Sequence, residues 1–280
     1  MTPPGPKYRE LRRALLADEP VVLATVTAST GAAAGVIPLA AKLVVQPAGE
    51  PLGHLGDPEL DRVVARDCLA ALDLGVTVTR HYGVHGEARL ADVEILLEVF
   101  ARSARLILFG AVDFTRALVQ VGNVLGYAVT VCDARPVFAT RARFPGADEV
   151  VVDWPDRFLE RVGAELGPRD VICVLTHDTK FDVPAVMGAL STSVGYIGAM
   201  GSRRTHEERW RRLIEAGADE AELKRRLMSP IGLDIGARTP EETAVSILAE
   251  VIALRAGRDF GDGAAVVPLR DESGPIHERR

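Results

Sequence analysis

From Leu106 to Ile197 short apolar runs alternate with helical segments, and this alternation leaves few folds open to the chain. Leu106 to Phe109, Val129 to Cys132, Val150 to Val152, Val171 to Leu175 and Val194 to Ile197 read as strands. Between them, helical patterns run over Asp113 to Leu125, Pro155 to Leu166 and Val183 to Leu190. Strands joined through helices at this spacing take right-handed crossovers and lie parallel, which predicts a doubly wound, Rossmann-like α/β sheet. A helical hairpin (Ser202 to Ala216, Asp219 to Met228) and the loop SPIGLDIGART come next. The last helix opens on Thr239, Pro240, Glu241 and Glu242, which supply an N-cap, a first-turn proline and a capping-box glutamate.

The preceding region, residues 1–102, reads as a smaller mixed α/β domain. It has a helix from Tyr8 to Asp18, a strand from Val21 to Thr27 and a hairpin beginning at Lys42 to Gln46. A helix from Asp57 to Leu72, capped by Asp57 with Pro58 first in the helix, leads to strands Val76 to Tyr82 and Val93 to Phe100. Residues 103–257 form the second domain, and residues 258–280 are expected to be a loosely ordered tail in which Val266 and Val267 can dock. The small-residue loop from Ala32 to Ala41 is compatible with a homodimer.

Composition excludes several classes. No run approaches the ~18 apolar residues of a membrane span, and MTPPGPKYRE lacks the apolar core of a secretion signal. Cys68, Cys132 and Cys173 are odd in number and far apart, which suits reduced thiols in a cytoplasmic protein. A net charge of −6 argues against a nucleic-acid binder, and Lys224, Arg225 and Arg226 read as a solvated helix face.

In an open parallel sheet, ligands bind outside the carboxyl ends of the strands. The residues there are Gly110 and Asp113, Asp133 and Arg135, Asp153, Thr176 with His177 and Asp178, and Gly198 to Arg204. Gly198 and Gly201 allow a sharp turn, Ser202 is an N-cap, and Arg203 and Arg204 add charge where a helix offers free N–H groups. Together they suit a phosphate or another anion. An ordinary capped turn with two solvated arginines is the plainer alternative. Asp133 follows Gly110 by 23 residues, about where a dinucleotide fold places its ribose acid. The loop GAVDFT keeps only the first glycine of G-x-G-x-x-G, and Val112 and Asp113 oppose a pyrophosphate. His177 beside Asp178 suits ligand contact better than acid–base catalysis. His81 and His85 lack a third metal ligand, and no catalytic set is evident.

FPGADEVVVDW, VLTHD, YIGAMGSRRTHEER and PIGLDIGARTPEETAVSILAE together resemble the carboxyl-terminal domain of the XdhC/CoxI family over Leu106 to Arg255. That family comprises accessory proteins of xanthine dehydrogenase and aerobic carbon monoxide dehydrogenase. The resemblance implies a maturation factor rather than an enzyme. It would bind molybdenum cofactor and deliver it, after sulfuration, to a molybdenum hydroxylase, with a cysteine desulfurase as a second partner. Ser202, Arg203 and Arg204 would hold the cofactor phosphate, and Asp133 and Thr176 to Asp178 would contact its polar remainder. Two departures mark a divergent member: the degenerate loop at Gly110, and GHLGDPELD, where Glu59 stands in place of the family's Ser-Gly-Gly-Cys cysteine. The rival readings are a NAD(P)-dependent oxidoreductase, with Asp133 on the ribose and His177 as acid–base, and a ligand-free scaffold.

Overall fold

The computed structural model describes residues 5–17, 19–176, 178–258 and 267–270. The chain divides into two compact units, Met1–Ser103 and Ala104–Arg280.

In the first unit, α1 (Pro6–Leu16), β1 (Val21–Ser29), β2 (Lys42–Val45), β3 (Leu52–His54), α2 (Pro58–Leu74), β4 (Val78–Tyr82) and β5 (Val93–Phe100) follow in order. The sheet order is β3-β2-β1-β5-β4, antiparallel at each pairing. Val22, Ala24 and Val26 of β1 alternate inward with period two. They meet Leu60, Val64, Cys68 and Ala71, which share one helical face of α2. Asp57 caps α2 by accepting from the N–H groups of Glu59 and Leu60 at 2.9 and 3.0 Å. Gly75, at φ +68°, ends the helix in the left-handed region.

The second unit runs β6 (Arg105–Phe109), α3 (Asp113–Val124), β7 (Ala128–Cys132), β8 (Glu149–Val151), α4 (Pro155–Val162), β9 (Val171–Val174), α5 (Thr179–Leu190) and β10 (Tyr196–Ala199). It continues with α6 (Arg203–Glu215), α7 (Glu220–Arg226), β11 (Leu227–Met228) and α8 (Pro240–Arg255). The described strands form a parallel sheet in the order β11-β10-β9-β6-β7-β8. The chain moves outward from β6 to β8 and then returns to β9 on the other side of β6, which makes the β6–β9 boundary the topological switch point. Alternation again sorts the faces. Leu106 and Leu108 pack with Leu118 of α3 and Ile247, Leu248 and Val251 of α8. Ile107 and Phe109 point the other way, toward Phe158 of α4, Val186 of α5 and Leu213 of α6. Strands covered on both sides must be apolar throughout, as β9, Val-Ile-Cys-Val, is.

The structure corrects several boundaries. Helix α5 starts at Thr179, before the predicted Val183, because Asp178 accepts from the Lys180 N–H at 3.1 Å and caps it. Strand β10 is displaced to Tyr196–Ala199, so Gly198 lies within a strand, where Ile231 and Tyr196 fill the space a side chain would need. Leu227 and Met228, predicted as a helix end, pair with Ile197 and Gly198 as a sixth strand. Val267 accepts from the Asp234 N–H at 2.8 Å, and Leu269 donates to Gly232 at 2.9 Å, so residues 267–270 lie along the loop before α8. The rest of the expected tail, Val266 included, lies outside the described residues apart from Arg258. Among the described residues no helix is long and apolar enough to cross a membrane.

Candidate functional site

At the switch point the predicted residues are drawn together, but they hold one another rather than leaving a site open. Gly110 has φ +111°, and a Cβ there would stand 2.6 Å from Thr176 Cγ2, so only glycine permits the approach of β6 to the end of β9. Asp133 is buried, and both of its oxygens are engaged. Oδ1 accepts from the Arg135 N–H and Nε, each at 2.9 Å, and Oδ2 accepts from the Ala111 N–H at 2.9 Å and Arg135 Nη2 at 2.7 Å. A carboxylate therefore takes the loop N–H that a pyrophosphate would need, and its own oxygens are already committed, so a ribose hydroxyl finds no open acceptor there. Thr176 Oγ1 donates to Asp182, and Asp178 caps α5. His177 lies outside the described residues. In this structure Asp133 and Thr176 are engaged by internal contacts of the fold, and the exposed Asp178 gives one oxygen to the cap of α5.

Burial pushes the Asp133 carboxyl up, but the Arg135 guanidinium and the Ala111 and Arg135 N–H groups outweigh it and hold the group below its usual range. Its folded value is below the unfolded one of ~3.9. The stabilisation is therefore full at neutral pH and is lost as pH falls through the folded value. Asp133→Asn should flatten the acid limb of the stability–pH curve, measured by urea unfolding from about pH 6 down to pH 2. Wild-type and variant curves that stay parallel over that range would show that Asp133 is not linked to folding.

The other predicted group sits at the start of α6. Gly201, at φ +149°, packs against Thr205, and a Cβ at this position would stand 2.9 Å from Thr205 Cβ, which excludes a side chain. Ser202 Oγ accepts from the Thr205 N–H at 3.2 Å, as an N-cap does. The two arginines part company. Arg204 is exposed and pairs with Glu208 one turn on, at 3.2 Å. Arg203 turns back, its Nη2 donating to the Leu269 carbonyl at 3.2 Å. Its Nε and Nη1 are buried and have no hydrogen-bond partner among the described residues. A buried guanidinium nitrogen without an acceptor is costly, and a bound anion would satisfy it.

Beside this turn lies a cavity of about 300 Å³, bounded by Met200 to Ser202, Phe114 of α3, the loop before α8, and Leu269. Its lining is mostly apolar, and its polar residues are Ser202, Asp234, Arg238, Thr243 and Ser246. Sequence reasoning placed the turn but not Asp234 or Arg238, although both stand in the motif PIGLDIGARTPEE. It also missed two buried charged groups behind the cavity. Arg209 donates to Asp182 Oδ2 and to the Met200 carbonyl, both at 2.8 Å, which fixes the segment leading into α6. Glu250, fully buried, accepts from Tyr196 Oη at 2.5 Å, from the Gly232 N–H at 2.9 Å and from Arg270.

Other candidates are inert by this geometry. His85 meets Asp57 at 2.9 Å and His81 faces Glu94 at 3.4 Å. Among the described residues no group of three His, Cys, Asp or Glu side chains is placed to hold a metal ion. Cys68, Cys132 and Cys173 are free and buried, and burial pushes the Cys68 and Cys132 thiols up to about 12, far from the thiolate form.

A six-stranded parallel sheet with a cavity outside its carboxyl ends defines a Rossmann-type binding domain. The chain belongs to the XdhC and CoxI family: residues 106–251 match the XdhC Rossmann domain, and residues 14–83 match the XdhC and CoxI family region. It is 30% identical over 198 residues to a probable xanthine dehydrogenase subunit of Bacillus subtilis (strain 168), covering 65% of this chain and 57% of that protein. It is 32% identical over 100 residues to the molybdenum cofactor insertion chaperone PaoD of Escherichia coli (strain K12), covering 36% of this chain and 31% of that one. The chain thus spans no more than 57% of the length of these curated relatives. A crystal structure described as a xanthine dehydrogenase from Bacillus halodurans shares the fold, with a TM-score of 0.50 and 22% identity over 91% of this chain and 97% of that one.

Proposed function

We propose that this protein is a cytoplasmic maturation factor that carries molybdenum cofactor to a molybdenum hydroxylase of the xanthine dehydrogenase or carbon monoxide dehydrogenase type. The cofactor is cargo. The observation that carries the reading is the start of α6: Met200 to Ser202 line a cavity of about 300 Å³, at the small end of ligand sites, and the next residue, Arg203, has two buried nitrogens without acceptors among the described residues. A phosphate there meets the Arg203 and Arg204 N–H groups, the helix dipole and the Arg203 guanidinium, while the flat ring lies against the apolar lining. The names of the relatives point the same way, since one is a molybdenum cofactor insertion chaperone. The three described thiols are buried, so sulfur for the cargo comes from a partner such as a cysteine desulfurase, not from this chain's cysteines. Val36 and Leu39, exposed on the small-residue loop, offer a contact for a second copy.

The test is cofactor content. Protein purified from a host that makes molybdopterin should release a fluorescent pterin on oxidation. Arg203→Ala should carry at least tenfold less, because it loses a charge-assisted hydrogen bond worth about 1.5–3 kcal/mol. Folded wild-type protein that never carries pterin sinks the carrier reading, and equal pterin in both proteins removes Arg203 from the site.

A further inference from the structure

Five polar side chains line the cavity: Ser202, Asp234, Arg238, Thr243 and Ser246. Three of them are engaged by the fold. Ser202 Oγ caps α6, Thr243 Oγ1 donates to the Thr239 carbonyl at 2.9 Å, and Ser246 Oγ donates to the Leu233 carbonyl at 2.6 Å. Asp234 and Arg238 differ from these. Asp234 Oδ1 takes only the Gly236 N–H, at 3.3 Å, and Oδ2 takes no hydrogen bond among the described residues. The Arg238 main-chain N–H is held by Glu242 at 2.7 Å, but its guanidinium donates to no described residue. Although the two side chains border one cavity, they do not pair with each other. The polar selectivity of the cavity therefore rests on one acceptor group and one donor group in a lining that is otherwise mostly apolar.

We propose that Asp234 and Arg238 select a fused heteroaromatic ring bearing a 2-amino-4-oxopyrimidine edge, the edge shared by pterins and guanine. On that edge an amino N–H and a ring N–H lie side by side, and a carboxylate accepts both; the carbonyl beside them accepts from a guanidinium. Arginine recognition of guanine likewise uses the carbonyl oxygen, there together with the adjacent ring nitrogen N7. Adenine presents the reverse pattern. Its ring nitrogen would face the Asp234 lone pairs and its amino group would face the Arg238 donors, so the same two residues that favour one ring reject the other. Phe114, Ile231 and Leu233 supply apolar contact to whichever ring is bound and do not discriminate. The assignment deepens the carrier reading and rests on it for the choice of pterin as the natural ligand.

Binding of pterin, guanosine monophosphate and adenosine monophosphate to the full chain is measured by titration calorimetry, for wild type, Asp234→Asn and Arg238→Ala. Wild type should bind pterin and guanosine monophosphate at least tenfold tighter than adenosine monophosphate. Asp234→Asn keeps an amide oxygen for the Gly236 N–H, so the loop is preserved, and it should lose tenfold or more toward the first two ligands. Arg238→Ala, at an exposed position, should weaken the same two ligands and should not weaken adenosine monophosphate, whose amino group no longer faces the Arg238 donors. Equal binding of the two nucleotides by wild type overturns the proposal, and so does unaltered pterin binding by a folded Asp234→Asn. Molybdopterin content of the same wild-type preparation separates the two readings. Cofactor present without ring selectivity overturns the selection by Asp234 and Arg238 alone; ring selectivity without cofactor overturns the cargo alone.

Discussion

Replacing Arg209 with alanine is expected to destabilise the fold by about 3–5 kcal/mol, the cost of leaving one member of a buried ion pair alone. The Arg209 and Asp182 side chains are 3% and 4% exposed and meet at 2.8 Å. The same Arg209 nitrogen donates to the Met200 carbonyl, Nη1 donates to Ser229 Oγ at 3.3 Å, and Thr176 Oγ1 donates to the other oxygen of Asp182. One side chain thus ties α5, the end of β10, and the segment after β11 to α6. Without it, the buried Asp182 carboxylate retains, among the described residues, the Thr176 hydroxyl as its hydrogen-bond donor, and the Met200 and Ser229 groups lose the Arg209 donor. Urea unfolding should show a lower midpoint with an unchanged slope. The double variant Arg209→Met with Asp182→Leu should recover most of the loss, since an apolar pair of similar volume removes both charges together. A single variant that loses less than about 1 kcal/mol, or a double variant as unstable as the single, would refute this account of the pair.

The parts of the fold legible in the sequence are those decided locally. Helix α8 is one: Thr239 Oγ1 accepts from the Glu242 N–H at 3.1 Å, Glu242 returns a contact to the Thr239 N–H at 3.1 Å, and Pro240 opens the helix. Helix α2 is another at its start, where Asp57 and Pro58 each stand at the position their chemistry favours, although it runs on past the expected Leu72 to Leu74 before Gly75 ends it. The parallel sheet follows from alternation alone. Strand β11 could not be found this way. Leu227 and Met228 end a helical pattern, and their extended form exists because Ile197 and Gly198 of β10 offer a ladder that no nearby residue announces. Gly198 misled for a related reason: a glycine near a strand end usually marks a turn, whereas here the bulk of Ile231 across the sheet face requires it.

The site was legible to a different depth. Ser202 as a cap and Arg203 beside a helix start follow from the turn itself. Asp133 was legible as a strand-end acid, but its role was set by Arg135 two residues on, which folds back over it and removes it from the ligand's reach. Arg209 stands in RRTHEERWRR, where charge at every turn looks solvated. Its burial is decided by Asp182, 27 residues away on another helix. Charge pairs of this kind carry no periodic signature, because each partner looks ordinary within its own element.

Glu250 presents the same problem and gives the sharpest test of how the cavity is closed. Its side chain is fully buried, and Tyr196, Gly232 and Arg270 all donate to it. Burial, and then the Glu250 charge, push the Tyr196 hydroxyl well above its usual range, so it stays protonated and donating. Glu250→Ala should cost about 3–5 kcal/mol, because the Tyr196 hydroxyl and Gly232 N–H are left buried without that acceptor and the contact of Arg270 with Glu250 is lost. Glu250→Gln keeps an acceptor for the first two and should cost less than half as much. Both variants should loosen residues 267–270, which are held to the loop before α8 by the Asp234 and Leu269 N–H bonds and to Glu250 by Arg270. Leu269 forms a wall of the cavity and its carbonyl holds Arg203, so loosening this segment also frees the guanidinium that the carrier reading assigns to phosphate. Hydrogen exchange at the Asp234 and Leu269 amides should therefore accelerate in Glu250→Gln and in Arg270→Ala by similar factors, while exchange in β6 and β9 stays at the wild-type rate. Acceleration in Glu250→Gln without any in Arg270→Ala would show that Glu250 secures the cavity wall through Tyr196 and Gly232 alone.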